Sequence, residues 1–204
     1  MKLLKSLVLA TSLLFSQMSS ASLMLWLDPD IQPGVTGDDI TLTLMAGGLD
    51  DEAPLSLGAF DLDILFDSSV LSFTGYTLFD ELGFIDFFEA GDFSLGEYAP
   101  GVVGISEVSF LLPSELDAMQ SSSFALAELM FHIDLLEASD FTIVSMTPGL
   151  FGFSDGDGVA FDEVELGSAL IGTPPDVNVP EPSTLALLSL AGLLVVFRRK
   201  LAIK

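Results

Sequence analysis

Phe60, Leu62, Ile64 and Phe66 alternate with Asp61, Asp63, Leu65 and Asp67. A period of two is the pattern of a strand with one face on a core and the other in water. Leu129, Phe131, Ile133 and Leu135 alternate with Met130, His132 and Asp134 in the same way, as do Ile40, Leu42 and Leu44 with Thr41, Thr43 and Met45. Shorter runs with strand character lie at Leu23 to Leu27, Val70 to Phe73, Val102 to Phe110, Phe141 to Met146, Val159 to Leu166 and Ser168 to Ile171. Turn formers separate them, as in Asp28-Pro29-Asp30 and Gly47-Gly48. The pattern predicts an all-β sandwich of about nine strands. Asp80 to Phe88 and Pro113 to Met119 are read as short helical turns, too brief to change the class.

Charge changes the picture more than composition does. Half of the 204 residues are hydrophobic, so a packed core is expected. The net charge is −24, from six basic and 30 acidic residues. All six bases sit at the ends, at Lys2, Lys5, Arg198, Arg199, Lys200 and Lys204. Of the acids, 29 fall between Asp28 and Asp176, and the remaining one is Glu181. The domain therefore has no Lys or Arg with which to neutralise phosphates, and nucleic acid is excluded as a partner. Its acids must sit in water, where they serve solubility outside the cell, take backbone hydrogen bonds, or hold cations. There is no cysteine, which removes disulfides, thiolate catalysis and Cys-based zinc sites.

The two ends read as addresses. Residues 1–21 have the form of a secretory signal: Lys2 and Lys5 lead an apolar run from Leu7 to Phe15, and Ser19 and Ala21 supply the small residues of a cleavage site. The folded domain is assigned to 22–171, and Gly172 to Asn178 is read as a polar, Pro-containing linker. Residues 179–204 then combine Pro180-Glu181-Pro182, an apolar run from Leu185 to Phe197 and the basic stop Arg198-Arg199-Lys200. As a helix that run covers roughly 20 Å of a hydrocarbon core about 30 Å thick, which suits a short transmembrane helix with its basic end in the cytoplasm. Motif, helix and basic stop in this order resemble the PEP-CTERM sorting signal of Gram-negative bacteria. The resemblance implies export, an inner-membrane intermediate, processing by an exosortase, and delivery to the surface of a cell that makes exopolysaccharide.

Leu57 to Phe73, with its strand, its Asp67 and its Val70-Leu71-Ser72-Phe73, resembles a segment of cohesin-like domains. Ser123 to Phe131 is similar to a later cohesin strand carrying an apolar-small-apolar run. This resemblance implies a jelly-roll sandwich related to carbohydrate-binding modules, and a protein partner of dockerin type or a polysaccharide as ligand.

Candidate chemistry is sparse. His132 is the only histidine, on the polar side of its strand beside acids, where a buried Ser-His-Asp triad has little to build on. No Gly-rich phosphate loop and no Lys stand ready for phosphoryl transfer. A glycosidase needs two carboxylates at a set separation, and a secreted carbohydrate-active enzyme stays open as an alternative. The expectation is a non-catalytic binding or scaffolding module, with a structural, Ca-stabilised adhesion protein as a further alternative. Asp155, Asp157 and Asp162, around Ser154-Asp155-Gly156-Asp157-Gly158, are the candidate Ca²⁺ ligands, because acids alternating with glycines let oxygens converge on a hard cation. The same residues also suit a solvated acidic turn. Trp26 lies opposite Leu23, Leu25 and Leu27, either as an exposed aromatic platform or filling a sheet edge.

Overall fold

Alternation along the chain becomes two facing sheets. The computed structural model describes residues 23–49, 56–138 and 140–173. Its strands are β1 (Leu23–Asp28), β2 (Ile31–Gln32), β3 (Asp39–Gly47), β4 (Leu57–Leu65), β5 (Leu71–Leu78), β6 (Ala90–Asp92), β7 (Gly96–Ala99), β8 (Val102–Ser109), β9 (Ser123–Ile133), β10 (Phe141–Asp155), β11 (Val164–Leu166) and β12 (Ser168–Gly172). One sheet runs β11-β1-β3-β9-β5, and the other runs β2-β12-β10-β4-β8-β6 with β7 also on β8. The signal segment and the sorting tail lie outside the described residues. No helix among the described residues is long and apolar enough to cross a membrane.

Parity decides what faces inward. Leu23, Leu25 and Leu27 of β1, Leu42 and Leu44 of β3, and Phe60, Leu62 and Ile64 of β4 are all buried. Phe131 sits at the centre of an aromatic cluster, with its ring 5.3 Å from Phe66 and 5.5 Å from Phe73, both edge-on. Each such side chain contributes roughly 1.5–3 kcal/mol when fully buried. That burial is what holds a fold with no disulfide.

The β5-to-β6 connection carries two 3-10 turns, Asp80–Leu82 and Ile85–Phe87, where the sequence suggested helical character. The helix α1 (Pro113–Met119) has Pro at its start, the Glu115 carboxylate accepts the Leu112 N–H at 2.9 Å, and the Glu115 N–H donates to the Leu112 carbonyl at 2.9 Å. Gln120 at its end binds both the N–H and the C=O of Leu57 at 2.8 Å, pinning α1 to β4. The last strand runs through Gly172, and Thr173 is tied by its N–H to Asp140 O (3.0 Å) and by its hydroxyl to Ala138 O (2.6 Å). The folded body thus continues two residues into the stretch read as linker.

The strand count also differs from the sequence reading. Twelve strands replace about nine because β2, β6 and β7 are two to four residues long and sit at sheet edges. Runs that short are below the length at which alternation registers. Only Val164–Leu166 of the expected Val159–Leu166 strand pairs as β11.

Candidate binding face

The outer face of the larger sheet departs from the polar pattern expected of a wet surface. β10 and β4 pair in register until Pro148 opposite Leu62, and pairing resumes at Phe153 opposite Phe60. Gly149, Leu150, Phe151 and Gly152 therefore bulge opposite the single residue Asp61. A bulge of this kind bends the strand and re-aims its side chains. The Asp61 carboxylate accepts the Phe151 N–H at 2.8 Å and holds the bulge on the sheet. Gly149 passes so close that an added Cβ would lie 2.5 Å from Asp61 Cγ, and Gly152 turns the chain at φ +64°. As a result Leu150 and Phe151 stand 89% and 85% exposed.

A second wall rises across the sheet. The chain after β6 hooks onto the edge of β8, with Phe93 N–H on Ser106 O (2.9 Å) and Leu95 N–H on Gly104 O (3.0 Å). Asp92 accepts the Ser94 N–H at 2.8 Å and the Tyr76 hydroxyl at 2.8 Å, fixing the hook. Phe93, Leu95 and Tyr98 are all exposed along this wall. Two adjoining hollows of about 360 and 310 Å³ separate the walls, sharing Asp61, Phe93, Ser106 and Phe151. Asp63 and Gly104 complete the floor of the second hollow. Asp63 beside the Tyr98 hydroxyl raises that phenol above its ordinary range, with burial and the charge of Asp61 adding to the effect. The face can therefore take apolar groups on its walls and a cation or hydrogen-bond donors on its floor.

Beneath this face lies an anomaly. Val103, Ile105 and Glu107 share the inward side of β8, and Glu107 is fully buried with neither carboxylate oxygen hydrogen-bonded. Burial, reinforced by Asp92, Asp80 and Glu81, pushes its carboxyl up to about 8, so it is neutral at pH 7.

The residues singled out from sequence are distributed elsewhere. His132 lies on the outer face of the smaller sheet, in register between Asp39 of β3 and Ser72 of β5. Its Nδ1 is 2.7 Å from Asp39 Oδ1, and this bond raises the imidazole above its ordinary value. The Ser72 hydroxyl donates to Asp134, so the row is not wired as a Ser-His-Asp relay. Trp26 is half-buried, with its ring over Gly47 and its Cβ against Gly167, and so fills the sheet surface rather than standing free.

Asp155 works as a turn residue: its Oδ1 accepts the N–H of Asp157 (3.0 Å) and of Val159 (2.8 Å). Among the described residues no three acidic or histidine side chains gather closely enough to hold a metal, so Asp155, Asp157 and Asp162 are not brought together as a ligand set. Ser19, Ala21, Pro180, Glu181, Pro182, Arg198, Arg199 and Lys200 lie outside the described residues.

Comparison with known proteins bears on both parts of the chain. Residues 178–200 match the PEP-CTERM protein-sorting motif. No curated protein matches the chain in sequence. The crystallised complex containing CaCohA2 gives a TM-score of 0.57 at 15% identity, covering 75% of this chain and all of that one. The solution structure of CaCohA2 from Clostridium acetobutylicum gives 0.54 at 16%, over 74% of this chain and 91% of its own. A type I cohesin–dockerin complex from Clostridium thermocellum gives 0.54 at 11%, over 77% and 97%. The described body is a cohesin-like β-sandwich, and a PEP-CTERM sorting motif follows it.

Proposed function

We propose that this chain is an exported, exosortase-sorted carrier of a non-catalytic binding module, displayed at the surface of a Gram-negative bacterium after an inner-membrane intermediate. The observation that carries the reading is the joining of a sorting motif at 178–200 to a cohesin-like sandwich with an apolar groove on one outer face. The partner is a protein, of the dockerin kind in its manner of docking. It places apolar side chains against Leu150, Phe151, Phe93 and Leu95, and a Lys or Arg over Asp61 and Asp63. Charge supports this choice, because the domain supplies no cation of its own. The Asp39-bound, exposed His132 is left without a chemical task.

A second reading follows from the aromatic content of the same groove. Tyr98, Phe93 and Phe151 beside Asp61 and Asp63 also suit sugar rings, with carboxylates taking the hydroxyls, and would tie the module to an exopolysaccharide matrix. One experiment separates the two. The purified exported chain is tested on a glycan array and against cationic dockerin-type modules, with Phe151→Asp as the control. Protein binding lost in the variant supports the first reading, and glycan retention lost in the variant supports the second. Binding to neither, or binding indifferent to Phe151, removes the groove from the proposal. Mass spectrometry of the exported form tests the sorting step: the residues after Pro180-Glu181-Pro182 should be missing.

A further inference from the structure

Eleven residues between β5 and β6 make a second apolar projection, next along the chain to the groove wall that begins at Phe93. Phe84 to Phe88 are exposed in succession, and four of these five side chains are large and apolar. Phe87 and Phe88 are 73% and 86% exposed, more than a soluble surface ordinarily leaves to two adjacent phenylalanines. The segment is nonetheless held in one shape. Its neck is closed by Glu89 N–H on Phe84 O (3.1 Å), by Phe84 N–H on Glu89 Oε2 (3.1 Å), and by Phe110 N–H on Glu89 O (2.7 Å). Gly83, at φ +119°, lets the two sides of the neck meet: an added Cβ would lie 2.8 Å from Glu89 Cβ. At the tip, Phe84 and Phe87 stack edge-on at 5.9 Å. Phe88 adopts φ +62°, a left-handed conformation that an aromatic residue takes only when its surroundings impose it.

Its place in the sandwich narrows what it meets. β5 ends and β6 begins at the pole where Ser123 of β9 pairs with Gly47 of β3, and where Ser109 of β8 pairs with Ala90. The chain leaves the folded body at the other pole, where Gly172 pairs with Phe141. The projection thus lies at the end farthest from the tail-bearing exit. Asp80, Glu81, Asp86 and Glu89 lie in the same connection, and the domain carries no Lys or Arg to offset their charge. A second copy would bring the same acids against these, and anionic lipid would repel them.

We propose that Phe84, Ile85, Phe87 and Phe88 form a rigid aromatic tip that docks onto a protein surface whose apolar patch is bordered by Lys or Arg. The fixed neck removes the ordering cost of the loop on binding, and the acids read the basic border.

The probe is a synthetic amphipathic helical peptide of Leu and Lys, with a Lys/Ser peptide of equal charge as reference. Binding to the exported chain is followed by calorimetry. The Leu/Lys peptide should bind more tightly than the Lys/Ser peptide, and Phe87→Ser should weaken it by about tenfold. Phe151→Ser, in the groove, should leave its affinity within about twofold, so that failure of the groove and failure of the tip are told apart. Phe88→Gly relieves the left-handed backbone and should keep or raise the melting temperature while also weakening the peptide. Equal binding of the two peptides, or of wild type and Phe87→Ser, overturns the proposal. So does Phe87-dependent binding to phosphatidylcholine vesicles with none to the peptide, or Phe87-dependent dimerisation seen by sedimentation.

Discussion

The two sheets treat the rule of apolar inside and polar outside differently. The smaller sheet keeps it within, where Leu23, Leu25, Leu42, Leu44, Leu129 and Phe131 are buried, and its outer side mixes Asp39, Thr41, Glu128 and His132 with Met24, Trp26, Met45 and Met130, none of these apolar side chains more than half exposed. The larger sheet breaks it on both faces. It buries an unpaired Glu107 within and thrusts Leu150 and Phe151 outward. Stability alone rewards neither feature, since an unsatisfied buried carboxyl is costly and exposed rings gain nothing in water. A sheet selected only for folding would resemble the smaller one. The larger sheet is where the molecule gives up cohesion, on the face to which the proposed partner is assigned.

The largest test of this contrast is at Glu107. Its carboxyl titrates near 8 in the folded protein and at about 4.5 when unfolded, so the folded state holds the proton more tightly. Stability must then fall as pH rises from about 4.5 to about 8 and level off above that. Glu107→Gln or Glu107→Leu should abolish this slope and gain about 3–5 kcal/mol at pH 8.5, read by urea unfolding across pH. A wild-type curve that is flat over that window would show the carboxyl to be satisfied and the contrast false.

On the outer face the expected effect is on binding, not folding. Phe151→Asp should cost about 2 kcal/mol of partner affinity, while unfolding stability stays within about 0.5 kcal/mol. Gly149→Ala acts between these. Its new methyl forces Asp61 aside and releases the Phe151 N–H, for about 1–2 kcal/mol of stability and a loosened bulge. The smallest effect belongs to the smaller sheet. The Asp39 bond holds the His132 imidazolium, so its contribution is present at acid pH and lost as pH rises through the raised value. His132→Gln should lower the melting temperature slightly below pH 6 and not at all at pH 9, by thermal scans at both.

How much of this was legible in the sequence follows from the length of each signal. β1, β3, β4, β8, β9, β10 and β12 were marked by apolar residues on one parity, and parity alone predicts that Phe60, Leu62 and Ile64 point together. Glu107 shares that parity with Ile105 and Val103, yet the sequence reading assigned the domain's acids to water, backbone hydrogen bonds or cations, and its burial is seen only in the fold. The bulge was not legible either. Pro148-Gly149-Leu150-Phe151-Gly152 reads locally as a turn, and only pairing with Asp61, nearly ninety residues earlier, turns it into one wall of a groove. Asp155 and Asp157 show the converse. Their spacing resembled a ligand set, yet the same spacing lets Asp155 accept two backbone amides of its own turn.

The confinement of every Lys and Arg to the two ends also decides how the body meets proteolysis. Enzymes that require a basic residue in their specificity pocket find nothing to cut from Ser6 to Phe197, whether the sandwich is folded or open. Enzymes that accept large apolar residues are in the opposite position. For them the first accessible bonds are those beside Leu150, Phe151, Phe87 and Phe88, the same side chains that form the two proposed docking surfaces. A partner seated on either projection would therefore register as protection from that second class of enzyme and leave the first class as idle as before.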